Sequence, residues 1–105
     1  MSEAKPLAPA ELARLAETFR LLGDPSRLRI LLHCAGAAKP VNAIAEDLGL
    51  SQSLVSHHLK LLRDARLVIG KRQAKQVFYE IADKHVSDML FDMIEHIEEE
   101  TGAAR

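Results

Sequence analysis

Four side chains near the C-terminus have the types and the spacing of a metal site: Asp83, His85, His96 and Glu99. His96 and Glu99 are three positions apart, so in a helix an imidazole and a carboxylate project from the same face. Asp83 and His85 are two positions apart, which fits a helix start, with Asp83 as the cap and His85 in the first turn. The set predicts coordination of a divalent cation.

A single helix cannot close such a site. Because a helix rises about 1.5 Å per residue, His85 and His96 would lie about 16 Å apart, whereas coordination distances are about 2 Å. If all four groups bind one ion, they must come from two antiparallel copies of the helix. The same symmetry would make two equivalent sites, so the spacing predicts a homodimer.

The charges of the chain are segregated, although its net charge is only −1 over 105 residues. The segment 60–75 contains six cations and one acid, and the segment 80–100 is strongly acidic. The basic segment attracts phosphate and the acidic end repels it, which predicts a nucleic-acid partner on one side of the molecule.

The single cysteine, Cys34, excludes an internal disulfide and a multi-thiolate metal site within one chain. It lies in an apolar run, so we expect a small buried side chain rather than a redox sensor. For the neighbouring His33 we expect a satisfied interior or rim histidine, with a His33–Cys34 ligand pair as the open alternative. The chain has no signal-peptide-like apolar segment and no membrane-spanning stretch, so we expect a cytoplasmic protein.

Helical periodicity predicts two scaffold helices, over 9–22 with Gly23 as its cap and over 24–36, followed by two helices over 41–48 and 52–65. Gly49 in the turn and Ser51 as a cap make the second pair a helix-turn-helix pattern. Its second helix has a predicted buried row of Val55, Leu59 and Leu62. On the remaining surface it presents Gln52, Ser53, Ser56, His57 and Lys60, which we expect to contact DNA, while His58 points about 100° away from His57 and packs.

Two apolar runs, 67–69 and 77–81, with a polar turn over 71–76, predict a β-hairpin, or wing, whose Lys71, Arg72 and Lys75 touch phosphate. The last helix has an apolar stripe at Val86, Met89, Leu90, Met93 and Ile97. The predicted fold is mainly α with this small hairpin, a winged helix-turn-helix over 9–100 that dimerises through its first and last helices. Residues 1–8 and 101–105 are predicted to be flexible.

With these elements in this order, the chain resembles the ArsR/SmtB family of winged-helix, dimeric, metal-sensing repressors. The resemblance covers about Leu12 to Glu99. It rests on LLGDPSRLRILL at 21–32, LSQSLVSHHLKLLRDARLV at 50–68 and VFYEIAD at 77–83. One departure is the wing tip, Gln73-Ala74-Lys75, where a glycine is common in the family.

The resemblance implies the zinc-type site of that family. Its pattern is Asp-x-His, ten residues, then His-x-x-Glu or His, and the four candidate ligands match it. The stretch 41–47 lacks the cysteines of the arsenic and cadmium type, and neither terminus has the histidines that nickel and cobalt sensors add. Zinc is therefore favoured, with Co²⁺ or Ni²⁺ as alternatives.

The implied function is repression of transcription from an imperfect inverted repeat in double-stranded DNA, with release when the metal binds. One alternative is a repressor of the same type that answers to a protein partner or to oxidation of Cys34. A metallohydrolase is disfavoured, because four protein ligands leave no open coordination position. We therefore expect a regulator and not an enzyme.

Overall fold

Five helices and three short strands make up residues 5–102, the part of the chain that this computed structural model describes. In chain order they are α1 (Pro9–Leu22), α2 (Pro25–Gly36), β1 (Lys39–Pro40), α3 (Val41–Leu48), α4 (Gln52–Asp64), β2 (Val68–Gln73), β3 (Gln76–Ile81) and α5 (Lys84–Thr101). This order confirms the predicted winged helix-turn-helix. The predicted flexible ends include residues 1–4 and 103–105, which lie outside the described residues, and their flexibility stays a prediction.

Capping side chains explain where three of the helices begin. The Asp24 carboxylate accepts a hydrogen bond from Arg27 N at 2.9 Å at the start of α2, and the Ser51 hydroxyl accepts one from Leu54 N at 3.1 Å at the start of α4. Asp83 does the same for Val86 N at 3.1 Å at the start of α5. Each cap satisfies a backbone N–H that the first helical turn leaves without a partner, and all three caps were predicted.

Two glycines end helices in different ways. Gly49 has φ 70°, in the left-handed region, and its N–H donates to carbonyls of the last turn of α3, which confirms the predicted turn. Gly23 follows α1 with φ −78°, a conformation that other residues adopt as readily. The turn into α4 therefore depends on glycine, and the end of α1 does not.

The wing is longer than predicted. Strands β2 and β3 pair in register from Val68 with Ile81 to Gln73 with Gln76, so the turn holds only Ala74 and Lys75. The predicted turn over 71–76 is wrong, because cross-strand hydrogen bonding extends β2 through polar residues. Ala74 has φ 56°, which agrees with the preference of the family for glycine at the wing tip.

A third strand completes the sheet, which has the order β1-β3-β2. Lys39 pairs with Tyr79, and Pro40 pairs with Phe78. Sequence analysis did not predict β1, since two residues have no measurable alternation and proline is accepted only at a sheet edge.

The core lies between α2, the helix-turn-helix and the base of the wing. Its fully buried side chains are Ile30, Leu31, Ile44, Val55, Leu59, Leu62 and Val68. Val55, Leu59 and Leu62 are the predicted row of α4, and their burial fixes which side of that helix faces outward. Cys34 is buried beside them at 2% exposure, as predicted.

The outer apolar stripes of α1 and α5 are not covered by packing within the chain. Leu12 and Phe19 on α1 are 57% and 56% exposed, and Met93 and Ile97 on α5 are 52% and 51% exposed. Between these helices lies an apolar groove of about 220 Å³. Contiguous apolar surface of this kind is typical of an interaction site. No helix of residues 5–102 has the length and the apolar character needed to cross a membrane.

We expect Gly70→Ala to destabilise the wing. Gly70 pairs with Tyr79, and a Cβ at Gly70 would lie 2.9 Å from Val77 Cγ1 and 3.1 Å from Tyr79 Cε1. The cost of this overpacking is about 1–3 kcal/mol. Gly36→Ala is the matched control, because nothing lies within 4 Å of its Cβ position. Urea unfolding at equal protein concentration measures the difference, and equal midpoints would contradict the close contact.

Candidate functional site

The outward side of α4 presents the polar residues that were predicted to contact DNA. Gln52, Ser53, Ser56, His57 and Lys60 are all exposed, and the buried row lies on the other side of the helix. The Lys60 ammonium group pairs with Asp64 Oδ2 at 3.1 Å. Hydroxyl, amide and imidazole groups near a helix N-terminus are able to donate and accept hydrogen bonds at base edges and phosphates.

Leu54 adds an apolar side chain to this surface, and sequence analysis assigned it no role. It is 38% exposed in the first turn of α4. Its angular position on the helix could have indicated this exposure. Leu54 lies about 100° around the helix axis from the buried Val55, at the edge of the side that faces the core. Apolar groups in this position are suited to contact with thymine methyl groups.

The wing carries three exposed cations with different surroundings. Lys71 Nζ lies 2.7 Å from Glu80 Oε2 on the neighbouring strand. Arg72 and Lys75 make no ion pair within residues 5–102. The wing is also connected to α3, since Gln76 Nε2 donates a hydrogen bond to Asn42 Oδ1 at 3.1 Å. The positive charge available to a phosphate is therefore greatest near the tip of the wing.

His58 is turned away from the polar surface and is 6% exposed, which confirms that it packs. Arg27 Nε donates to His58 Nδ1 at 3.3 Å, and Arg27 Nη1 donates to Leu21 O at 3.0 Å. His58 Nε2 lies 3.8 Å from Asp24 Oδ2. Burial, and then the nearby Arg27 cation, lower the pKa of His58, while Asp24 acts in the opposite direction. We name Asp24, Arg27 and His58 the α2–α4 joint.

The four candidate metal ligands are all exposed on α5 or at its start. Asp83 Oδ1 accepts the capping hydrogen bond from Val86, which leaves Oδ2 available to an ion. His85 and His96 project within about 20° of each other around the helix axis, yet lie far apart along it. In residues 5–102 no three His, Cys, Asp or Glu side chains are close enough to hold a metal ion. A complete set of these four ligands would therefore need a second chain.

These donors fit zinc by their chemistry, since two imidazoles and two carboxylates make a four-coordinate shell. The other exposed acids of α5, among them Asp88, Asp92 and Glu95, give this helix a negative surface. Divalent cations favour such a surface, and nucleic acids do not.

Comparison with known proteins identifies the family. A family model described as bacterial regulatory protein, arsR family, matches residues 24–69. The HTH-type transcriptional regulator NmtR of Mycobacterium tuberculosis is 40% identical over 93 residues, which cover 89% of this chain and 78% of that protein. The chain belongs to the ArsR family.

Two further ArsR-family comparisons extend the match. A transcriptional repressor SmtB homolog of Synechocystis is 38% identical over 86 residues, covering 82% of this chain and 65% of that protein. A solution structure from Mycobacterium bovis, described as a homodimeric winged helix-turn-helix DNA-binding domain and a possible ArsR-family regulator, has a TM-score of 0.79 at 28% identity. The structural match covers 95% of this chain and 92% of the M. bovis chain, so the likeness includes α1 and α5.

His33 and Cys34 do not form a metal-ligand pair in this ArsR-family chain. His33 Nε2 lies 2.8 Å from Asp47 Oδ2, and Lys39 Nζ lies 3.7 Å from the same oxygen. His33 is thus a satisfied rim histidine, as expected. Cys34 belongs to the core, and burial raises the pKa of its thiol from 9.0 to about 11, with Lys39 acting weakly in the opposite direction.

We expect Cys34 to react slowly with a thiol reagent at pH 8. With its pKa near 11 instead of 9.0, the reactive thiolate is about a hundredfold scarcer, and burial slows access further. Labelling of the native protein should therefore be at least about a hundredfold slower than labelling of the same protein unfolded in urea. Similar rates in the two states would show that Cys34 is open to oxidants.

Proposed function

We propose that this protein is a homodimeric transcriptional repressor in the cytoplasm that binds an inverted-repeat operator and releases it when zinc binds between the two C-terminal helices. The observation that carries the proposal is the face of α5. There, two imidazoles and two carboxylates are exposed beside an apolar stripe that the chain leaves uncovered. The function is regulatory rather than catalytic.

DNA binding is supported by the helix-turn-helix and by a relative described as a DNA-binding domain. The exposed side of α4 offers hydrogen-bonding groups and no acid before Asp64, and the basic tip of the wing offers charge. In a two-fold dimer, the two copies of α4 would enter successive major grooves, about 34 Å apart. Gln52, Ser53, Ser56, His57 and Lys60 would meet bases or phosphates, and Lys71, Arg72 and Lys75 would meet phosphates beside them.

A second copy of the chain is the occupant that fits the uncovered apolar stripes. Leu12, Leu15 and Phe19 of α1 and Met93 and Ile97 of α5 would be buried together in a two-fold interface. The M. bovis relative, described as homodimeric, matches this chain over both helices. Each fully buried side chain of this size contributes about 1.5–3 kcal/mol, so these residues can hold a stable dimer.

The same interface would complete the metal site. His96 lies about 60° around the helix from Met93, so the ligand face adjoins the apolar stripe. If two α5 helices pack antiparallel along that edge, Asp83 and His85 of one copy lie opposite His96 and Glu99 of the other. Zinc would supply a cross-link between the two helices, with cobalt or nickel as alternatives.

Release of DNA follows from linkage. If zinc prefers the dimer geometry that does not fit the operator, zinc must weaken DNA binding, and DNA must weaken zinc binding by the same factor. The alternative is a repressor of the same type whose DNA binding is regulated by a protein partner instead of a metal ion. Oxidation of Cys34 is disfavoured by its burial and its raised pKa.

We expect zinc to weaken operator binding by about 5–150-fold, the usual range of allosteric coupling. Fluorescence anisotropy of the metal-free dimer on DNA from its own upstream region, then with zinc, then with excess chelator, measures this. His96→Asn should remove the response, and Glu100→Gln, a change to a neighbouring exposed acid, should keep it. Zinc-independent binding by the unaltered protein would refute the metal signal, and absent binding would refute the repressor function.

The cations of the wing tip should contribute more to the salt dependence of DNA binding than Lys60 on α4. Arg72→Gln and Lys75→Gln should each make the slope of log K against log salt shallower by about two, because the homodimer loses one phosphate contact in each half-site. Lys60→Gln should change it less, because Asp64 lies 3.1 Å from that ammonium group and offsets its charge. Salt titrations of the three variants and the unaltered protein test this order, and equal slopes in all four would contradict it.

A further inference from the structure

Three helices meet at the guanidinium group of Arg27. Its Nη1 donates to Leu21 O at the end of α1, and its Nε donates to the His58 ring on α4. Its own backbone N is held by the Asp24 cap of α2. The α2–α4 joint thus links α1, whose apolar stripe is uncovered, to the helix whose outer surface carries the candidate DNA contacts.

We propose that the α2–α4 joint positions α4 for DNA binding only while His58 is uncharged, so that acidification opens the joint and weakens DNA binding through this residue. The proposal rests on the proposed DNA-binding function. His58 contacts no DNA in this arrangement. It is a positioning residue, and it lies apart from the candidate metal ligands.

The hydrogen bonds of the joint determine where the proton must be. Because Arg27 Nε donates to His58 Nδ1, Nδ1 has no proton, and the neutral ring has its proton on Nε2, on the side of Asp24 Oδ2. A second proton on Nδ1 would point an N–H at the N–H of a guanidinium group. The hydrogen bond would then be replaced by repulsion between two donors and two positive charges.

The groups that face His58 favour the neutral ring on balance. Arg27 opposes its charge, Asp24 favours it, and the neighbouring His57, with ring centroids 5.7 Å apart, opposes it when protonated. Burial opposes it as well and is the largest effect. Since the pKa of His58 is lower when the joint is closed than when it is open, each proton taken up favours the open joint. The effect is absent well above pH 6.5 and develops as the pH falls below that value.

A proton on His57 would act on DNA affinity in the opposite direction to a proton on His58. His57 is exposed on the outer surface of α4, so a proton there adds positive charge where a phosphate would lie. Protons on these two adjacent histidines would therefore influence DNA affinity in opposite directions. The unaltered protein should show only their difference, and separate substitutions are needed to reveal each one.

Anisotropy titrations at constant ionic strength, from pH 8 to 5.5, test the proposal with the metal-free dimer kept in chelator. In His57→Gln, acidification should weaken DNA binding about tenfold, because the open joint takes up a proton on the His58 ring that the closed joint disfavours. In the double variant with His58→Gln this fall should disappear. Glutamine keeps an acceptor for Arg27 and a donor for Asp24, so His58→Gln should bind DNA normally at pH 8, whereas His58→Ala should bind it more weakly. Circular dichroism and sedimentation confirm that each variant is folded and dimeric.

A second measurement needs no DNA and separates the joint from the proposed function. The His58 ring is titrated by NMR in the unaltered protein and in Arg27→Gln. Removing the guanidinium charge should move the His58 midpoint upward, because that charge opposes protonation of the ring. The proposed role of the α2–α4 joint would be overturned by an unchanged His58 midpoint. It would also be overturned by an acid-induced loss of DNA affinity that persists in the double variant. Absence of DNA binding by every protein at pH 8, with the expected NMR shift, would overturn the repressor function instead.

Discussion

Burial of Val55, Leu59 and Leu62 is the interaction on which the rest of the structure depends. These three side chains, each at 1% exposure or less, fix the rotation of α4 about its own axis. Once that rotation is set, the polar side chains of the helix face outward and His58 faces Arg27. Leu62 also anchors the exit from the helix, because its carbonyl accepts from Leu67 N at 2.9 Å just before β2 begins. The wing therefore takes its direction from the same packed row.

A second constraint is the apolar surface of α1 and α5 that one chain leaves exposed. The apolar stripes of α1 and α5 are amphipathic in the ordinary helical sense, but packing within the chain covers only their inner edges, such as Leu21 and Leu90. In a chain of 105 residues a large fraction of the surface of the unfolded chain stays exposed after folding, so helices at the surface keep one edge uncovered. The uncovered edge of α5 and the candidate metal ligands lie on the same helix, so under the proposed function that helix contributes to both dimer stability and signal response.

The sequence predicted those features that are set by neighbouring residues. The caps Asp24, Ser51 and Asp83 and the turn at Gly49 are local, and each was placed correctly. The length of the wing was underestimated, because the polar residues Lys71 to Gln73 become strand only through pairing with β3. Strand β1 was missed for the same reason, since only its pairing with Tyr79 and Phe78 defines it.

The candidate sites show the same difference between features set by neighbouring residues and features set by long-range contacts. The ligand spacing on α5 is visible in the sequence because the helix repeat is local, although the predicted site needs a second chain to be complete. The contact of Arg27 with His58 joins residues 31 positions apart and has no local signature. That His58 packs was predictable from its angle on the helix, and the identity of its partner was not.

The segregation of charge gives the molecule an electric dipole, because cations concentrate on the wing and acids on α5. In the field of a polyanion, such a dipole experiences a torque before any contact forms, so the protein approaches with its wing leading. The negative potential of α5 itself favours divalent cations around that helix. Under the proposed function, DNA and the metal ion would bind to surfaces of opposite charge, so neither would have to displace the other from a shared surface.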